Sequence, residues 1–320
     1  SSNNFQSSGR LYRNDGGFNF ADVTSSSAFS GSAMNSYAGM WSDLDLDGDL
    51  DHYATTREPS AEGIPNRLMT NLGNGQFNDI TEISMVADSQ GLGFGVVVSD
   101  FNKDGWPDIY IANDKFTTHN TLFQNMGNGL FEDVSDSQST GIHMDGMGVG
   151  AGDYDGNGYE DFYVTNTPIS SIEFGGNVLC KNHGDNTFSD MAGDLGIRVF
   201  EIGWGSSWAD FNNDGHLDLF VANERVPSGA PNTLFMNQGD GTFQEDTTTL
   251  IHSTVDNSFG TAVGDLNDDG YPDIAVMNVL SNSVKIWSNN GGTNTWVKVS
   301  LEGTVSNSEG IGAWIETYSM

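Results

Sequence analysis

Five nine-residue segments of this chain follow one template and recur at an almost constant interval. They are DLDLDGDLD from Asp43, DFNKDGWPD from Asp100, DYDGNGYED from Asp153, DFNNDGHLD from Asp210 and DLNDDGYPD from Asp265, with starts 57, 53, 57 and 55 residues apart. A fixed period of this length is the signature of a repeat architecture with one supersecondary unit per period. It is too long for the coils of a parallel β-helix, and a β-sandwich would not space its strands so evenly.

The residues around each segment define the unit. A glycine-punctuated run precedes the segments (AGMWS, GFGVVVS, GMGVGAG, GWGSSWA, FGTAVG), and a β-branched or aromatic run follows (HYATT, IYIAN, FYVTN, LFVAN, IAVMN). Both have the length and composition of strands. The glycines five residues ahead of four of the loops (Gly95, Gly148, Gly205, Gly260; Ala38 in the first) suit strands whose backbones approach closely. A second hairpin then appears in NRLMTNLGNGQFNDIT, NTLFQNMGNGLFEDVS, NVLCKNHGDNTFSDMA and NTLFMNQGDGTFQEDT, where Asn and Gly supply the positive φ of a tight turn. Four short antiparallel strands per period, with no room for a sizeable helix, describe the blade of an all-β propeller.

The template D-x-D/N-x-D/N-G-x-x-D places oxygen donors at positions 1, 3, 5 and 9 and a backbone carbonyl at position 7. The glycine at position 6 permits the sharp turn that brings them together. Hard oxygen donors in this number suit Ca²⁺, whereas Zn²⁺ prefers Cys and His, and Mg²⁺ keeps its waters. The expected side-chain ligands are Asp43, Asp45, Asp47 and Asp51; Asp100, Asn102, Asp104 and Asp108; Asp153, Asp155, Asn157 and Asp161; Asp210, Asn212, Asp214 and Asp218; and Asp265, Asn267, Asp269 and Asp273. The carbonyls of Asp49, Trp106, Tyr159, His216 and Tyr271 would fill position 7. The third loop differs in carrying Gly156 at position 4 but keeps every donor. Plain turns need only one or two Asp or Asn residues, and carboxylates packed at alternate positions repel unless a cation lies among them. About five Ca²⁺ are therefore expected, as scaffold ties and not as reaction centres.

The loops and the N-x-L-F-x-N-x-G-x-G-x-F-x-D hairpins resemble FG-GAP/VCBS repeats, the units of integrin-α-like propellers, over residues 11–290. The resemblance implies a calcium-binding adhesion or matrix module. The segment NTWVKVSLEGTVSNSEGIGAWIE, within residues 291–320, resembles the start of an ASPIC/UnbV module, and residues 1–10 read as an N-terminal tail.

Charge sets limits on partners. With 44 acidic against 11 basic residues the formal charge is -33, and five Ca²⁺ would leave about -23. Such a surface repels nucleic acid and anionic membranes. The 7 Trp, 9 Tyr and 19 Phe argue for a packed core and against disorder. No apolar run approaches the roughly 20 residues of a membrane span. Cys180 is the single cysteine, set among apolar neighbours as a small buried residue. N-x-S/T does not occur, so a glycan would be O-linked, and the Ser-rich stretches 1–8 and 25–32 leave that open. The chain begins at Ser1 with no leader-like segment, as a processed or excised piece would.

No catalytic motif is present, and the six histidines (His52, His119, His143, His183, His216, His252) fall at unrelated repeat positions. Trp106, Trp204, Trp208 and Phe174 could stack on sugars but suit blade packing better. The irregular loops 25–39, 57–65, 167–176, 198–205 and 224–231 are the places for a ligand.

The expected molecule is thus a propeller of four-stranded antiparallel blades, five with calcium loops, plus a half-blade in LYRNDGGFNFADVT (11–24). SVKIWSNN and WVKVSL should form the fifth blade's second hairpin, with GIGAWIETY left over. The ends could close a composite sixth blade. Alternatively, further blades could lie upstream to make seven, or a neighbouring copy could add strands to build a filament. The expected role is non-enzymatic and extracellular or cell-surface, with a protein or carbohydrate ligand. A polysaccharide lyase or hydrolase, or a lectin, on the same scaffold is the alternative.

Overall fold

The structure is a computed structural model that describes residues 9–27, 29, 36–57, 65–89, 91–167, 175–224, 229–279, 284–304, 307, 310–313 and 315. The chain divides into two compact units, one of residues 1–111, 121–134 and 300–320, the other of 112–120 and 135–299.

In the first unit, β1 (Tyr12–Asn14) and β2 (Phe20–Asp22) form a two-stranded sheet. A four-stranded sheet follows, with β3 (Ser36–Ser42), β4 (Asp51–Thr56), β5 (Arg67–Asn71) and β6 (Phe77–Asp79) in sequence order. A second comprises β7 (Gly93–Ser99), β8 (Asp108–Asn113), β9 (Thr121–Asn125) and β10 (Phe131–Asp133). The second unit holds β11 (Gly146–Gly152), β12 (Asp161–Asn166), β13 (Val178–Asn182) and β14 (Phe188–Asp190), and then β15 (Gly203–Ala209), β16 (Asp218–Asn223), β17 (Thr233–Asn237) and β18 (Phe243–Glu245). A four-residue helix, α1 (Leu250–Ser253), leads into β19 (Ser258–Gly264), β20 (Asp273–Asn278) and β21 (Lys285–Trp287). Meandering four-stranded sheets joined in sequence are propeller blades, so the all-β propeller read from the repeat is what the chain forms.

One expectation fails. The fifth sheet has three strands among the described residues, and residues 294–301, which include WVKVSL, form none. The cause is register. In the other sheets the fourth strand opens on an aromatic residue six places after the hairpin asparagine: Asn71 to Phe77, Asn125 to Phe131, Asn182 to Phe188, Asn237 to Phe243. From Asn289 the sixth place is Thr295, and Trp296 lies instead against Gly270, where an added Cβ would fall 2.0 Å from its ring. GIGAWIETY lies partly outside the described residues, and its described members form no strand.

The fourth-strand phenylalanine also ties sheets together. The amides of Phe77, Phe131 and Phe188 donate to the carbonyls of Ser27, Ser84 and Gln138 at 2.9, 3.0 and 3.0 Å. Each acceptor lies seven residues beyond the preceding sheet's own phenylalanine (Phe20, Phe77, Phe131). The half-blade is therefore in register with the repeat.

Apolar cores form where successive sheets face one another. In the first unit Leu44, Tyr53, Leu68, Val96, Ile109 and Phe123 are buried together. In the second, Tyr163, Leu179, Ile197, Leu219, Val221 and Phe235 form one cluster, and Phe211, Phe220, Leu234, Ile274 and Val276 another. Cys180 is buried, as its neighbours implied. First strands pack against first strands at bulges: the β11–β12 register shifts between Gly146 and Val149, and the β15–β16 register between Gly203 and Gly205. A Cβ on Gly148 would lie 2.2 Å from the Trp204 carbonyl oxygen, and one on Gly205 would lie 2.6 Å from that of Phe259. Backbone cannot yield as a side chain can, so these glycines are obligatory. Gly260, by contrast, would meet only Met277, at 3.7 Å. Gly148→Ala should cost about 2 kcal/mol, and Gly260→Ala should stay within about 0.5 kcal/mol. Urea denaturation of the two variants checks the pair, and equal costs would contradict the close-approach reading.

Candidate metal centre

Each template segment is the hairpin between a sheet's first and second strands, and its backbone is shaped by its own side chains. The position-1 aspartate accepts from the amides of positions 5 and 6. Asp104 and Gly105 donate to Asp100 at 3.0 and 2.8 Å, and Asp214 and Gly215 to Asp210 at 3.0 and 2.7 Å. The pattern holds for Asp153 and Asp265, and in the first loop Gly48 donates to Asp43 at 3.1 Å. Position 5 then accepts from position 7, as when Trp106 donates to Asp104 at 2.9 Å. Gly48, Gly105, Gly158, Gly215 and Gly270 all have φ between 85 and 98°, as the turn at position 6 demands.

Position 4 was not foreseen. Leu46, Lys103, Gly156, Asn213 and Asp268 all lie at φ 56–69°, also left-handed. The glycine that looked like a deviation in the third loop is the residue best suited to that place, and Asn213 and Asp268 are the next most tolerant.

The carboxylate oxygens of Asp43, Asp45 and Asp47 lie within 4.8 Å of one another, as do those of Asp153, Asp155 and Asp161. The second, fourth and fifth loops carry Asn at position 3 in the same backbone arrangement. In the third loop the Lys181 ammonium lies 2.5 Å from Asp155 and already offsets part of the charge. The position-7 side chains have a separate task. Asp49, Trp106, Tyr159 and His216 cover the hairpin glycines Gly73, Gly127, Gly184 and Gly239, where a Cβ would lie 2.3–2.7 Å from them. Trp106 is thus engaged in packing.

Position 9 is where the loop meets the rest of its sheet. Asp51, Asp108, Asp161, Asp218 and Asp273 are all buried. Each accepts two backbone N–H groups, one from position 2 of its own loop and one from the asparagine closing the third strand. The ten distances span 2.7–3.2 Å, with donors Leu44 and Asn71, Phe101 and Asn125, Tyr154 and Asn182, Phe211 and Asn237, Leu266 and Asn289. Those asparagines were legible only as turn residues, and they are that: each side-chain oxygen accepts from the glycine two residues on, at 2.9–3.1 Å. Their side-chain amides do more, donating to the position-8 carbonyls Leu50, Pro107, Glu160, Leu217 and Pro272 at 3.1–3.3 Å.

The electrostatics call for a cation. Burial, reinforced by neighbouring carboxylates and only partly offset by the amides, pushes Asp108 and Asp161 up to about 8, Asp218 to about 7 and Asp51 to about 6. Burial also raises Asp43, Asp45, Asp100 and Asp153. Asp43 Oδ1 is buried with no hydrogen-bond partner. An unpartnered carboxylate oxygen, two further carboxylates within reach and an all-oxygen donor set fit a hard divalent ion.

Other sequence candidates lie elsewhere. His52 is half-buried beside Phe29 and Trp41, where desolvation of its ring pulls it down to about 4. His119 and His143, 24 residues apart in sequence, come together with ring centroids 5.7 Å apart. Trp208 packs in the core, and Trp204 stacks on Phe259 with centroids 4.1 Å apart. Phe174 lies outside the described residues, as do parts of loops 25–39, 57–65, 167–176 and 224–231.

The FG-GAP-like repeat family matches residues 43–111, 100–164 and 210–276, more than half of the chain and each stretch built around the loops just described. The chain belongs to the FG-GAP repeat family. Cartilage acidic protein 1 of Mus musculus is similar at 28% identity over 182 residues, covering 56% of this chain and 28% of that protein. Integrin alpha-3 of Mus musculus is 37% identical over 76 residues, covering 21% of this chain and 7% of the integrin. Integrin alpha-V of Gallus gallus is 30% identical over 150 residues, covering 41% and 13%. This FG-GAP chain thus spans less than a third of the length of the relatives it matches.

Two outcomes separate bracing from ion binding in the FG-GAP loops. In EDTA, Asp161→Ala leaves the buried amides of Tyr154 and Asn182 without an acceptor and should cost about 2–4 kcal/mol, whereas Asp45→Ala relieves repulsion and should cost nothing or stabilise. Chemical denaturation measures both. The second outcome concerns pH. In the ion-free protein the raised aspartates bind protons more tightly folded than unfolded. Their contribution is therefore full below about pH 4 and is lost as pH rises through about 6 to 8, the folded values of Asp51, Asp218, Asp108 and Asp161. Melting temperature in EDTA should be higher at pH 5.5 than at pH 8.5. In millimolar calcium the order should reverse, because the ion needs the deprotonated carboxylates.

Proposed function

We propose that this chain is a calcium-stabilised propeller module of an extracellular adhesion or matrix protein, with a Ca²⁺ ion in each of its five loops. The observation that carries the reading is the shared loop architecture, in which the buried position-9 carboxylates of the first four loops are pushed towards neutrality by burial and by one another, while in the fifth the amides of Asn289 and Leu266 hold Asp273 below the usual carboxylate range. A Ca²⁺ ion would be held by positions 1, 3, 5 and 9 and the carbonyl of position 7, and would supply the positive charge the loop lacks. Sites of ordinary affinity fill at the millimolar calcium found outside cells, which supports an extracellular location. The names of the relatives, a cartilage acidic protein and integrin alpha chains, point the same way. Among the described residues no helix is long and apolar enough to cross a membrane.

The strand order suggests where a partner would sit. The calcium loops join first to second strands. The irregular segments 57–65, 167–176 and 224–231 join second to third strands, and 25–39 and 198–205 join one sheet to the next. In an antiparallel meander these connections emerge at the ends opposite the calcium loops. A protein or carbohydrate ligand would accordingly be met there, on loops whose geometry the calcium-tied hairpins hold from behind. Residues 291–320 are proposed as the start of an ASPIC/UnbV-like segment.

Isothermal titration of EDTA-stripped protein with calcium should give about five equivalents, and EDTA should lower the melting temperature by more than about 10 °C. Unchanged melting in EDTA would remove the structural role of calcium.

A further inference from the structure

The hairpin asparagines reach beyond their own sheets. Asn237 Nδ2 donates to the Tyr154 carbonyl at 2.8 Å, Asn289 Nδ2 to Phe211 at 2.8 Å and Asn125 Nδ2 to Leu44 at 2.9 Å. Each acceptor is position 2 of the preceding sheet's loop, between its position-1 and position-3 donors. Each asparagine's own backbone N–H meanwhile holds the position-9 aspartate of its own loop.

Linked together, these bonds run without a break. Asp161 accepts from the Tyr154 amide at 3.2 Å, the Tyr154 carbonyl accepts from Asn237, and the Asn237 amide donates to Asp218 at 2.8 Å. Asp218 accepts from the Phe211 amide at 3.0 Å, the Phe211 carbonyl accepts from Asn289, and the Asn289 amide donates to Asp273 at 2.7 Å. One chain of six hydrogen bonds thus joins the third, fourth and fifth loops, with one residue crossing each gap. In the first unit the same relay runs from Asp51 through Leu44 and Asn125 to Asp108.

We infer that Asn125, Asn237 and Asn289 couple neighbouring calcium loops, so that an ion bound in one raises the affinity of the next. The inference rests on the calcium reading above. An ion that fixes the third loop fixes the backbone of Tyr154 between its donors. The Tyr154 carbonyl then orients Asn237, whose amide sets the Asp218 carboxylate before its own ion arrives. The entropy of ordering that carboxylate is thus lost once, and the second ion binds a loop already arranged. Coupling of this kind is reciprocal, so the fourth loop must favour the third by the same factor. Asparagine suits the role because its amide donates in two directions, to the position-8 carbonyl and across the gap, while its oxygen closes the turn.

The test is a double-mutant cycle. Asp153→Ala disables the third loop, and NMR follows the Gly215 amide of the fourth, which donates to Asp210 at 2.7 Å. Asn237→Ser can still accept from the Gly239 amide but does not reach Tyr154. With Asn237 present, Asp153→Ala should raise the calcium concentration that half-fills the fourth loop about fivefold. In the Asn237→Ser background, the same Asp153→Ala change should move that concentration less than about twofold. If Asn237→Ser does not fold, Asn125→Ser with Asp43→Ala, read at the Gly105 amide, makes the same measurement in the first unit. An equal shift with and without the asparagine, or no shift in the parent, overturns the coupling while leaving calcium binding intact. A Gly215 amide unmoved by calcium in the parent protein overturns the calcium reading and the coupling with it.

Discussion

Everything in this fold converges on a buried aspartate at the ninth place of each loop. Its carboxylate joins the start of the loop to the end of the third strand, and in the third loop it also lies within reach of the other donors. Two amides hold it in each sheet, and that alone would make it a structural brace. Two amides do not meet the cost of burying a charge, however, which is why Asp108 and Asp161 rise to about 8. The brace is therefore incomplete on its own, and the proposed divalent ion would complete it. On the proposed reading, stability and ion binding would be carried by the same oxygen atoms.

That double use explains how a chain of formal charge -33 can place its aspartates so close together. Surface carboxylates repel weakly in water, but those in the loops are drawn into a region where repulsion is less screened. The hydrogen bonds from positions 5, 6 and 7 turn the backbone dipoles towards the carboxylates and offset part of the cost before any ion arrives. Lys181 beside Asp155 is a local substitute of the same sign in the third loop.

The repeat made the sheets and the loops legible, because five copies in register specify a hairpin far better than one. Residue roles that depend on a second element were hidden. Asn237 reads in sequence as a turn former, and nothing in its neighbours announces that its amide reaches Tyr154, 83 residues away. The contact between His119 and His143 was hidden for the same reason, since it joins two irregular connections. The left-handed position 4 was readable, for Gly156, Asn213 and Asp268 are the residues such a place favours. That residues 294–301 form no fourth strand in the last sheet was readable too. Counting six residues from Asn289 reaches Thr295 and not an aromatic, a signal that the apolar alternation of WVKVSL obscured.

On the proposed calcium reading, the third, fourth and fifth loops, and likewise the first and second, would not stand as separate ties. A propeller whose sheets touched only through apolar side chains would let each loop fill independently, since such contacts are non-directional. The asparagine amide is directional, and it joins the two groups that matter most, a loop carbonyl between metal donors and the aspartate that braces the next loop. An ion fixed in one loop would therefore be felt in the next only along that line of hydrogen-bonded groups, which runs through the third, fourth and fifth loops and again between the first and second.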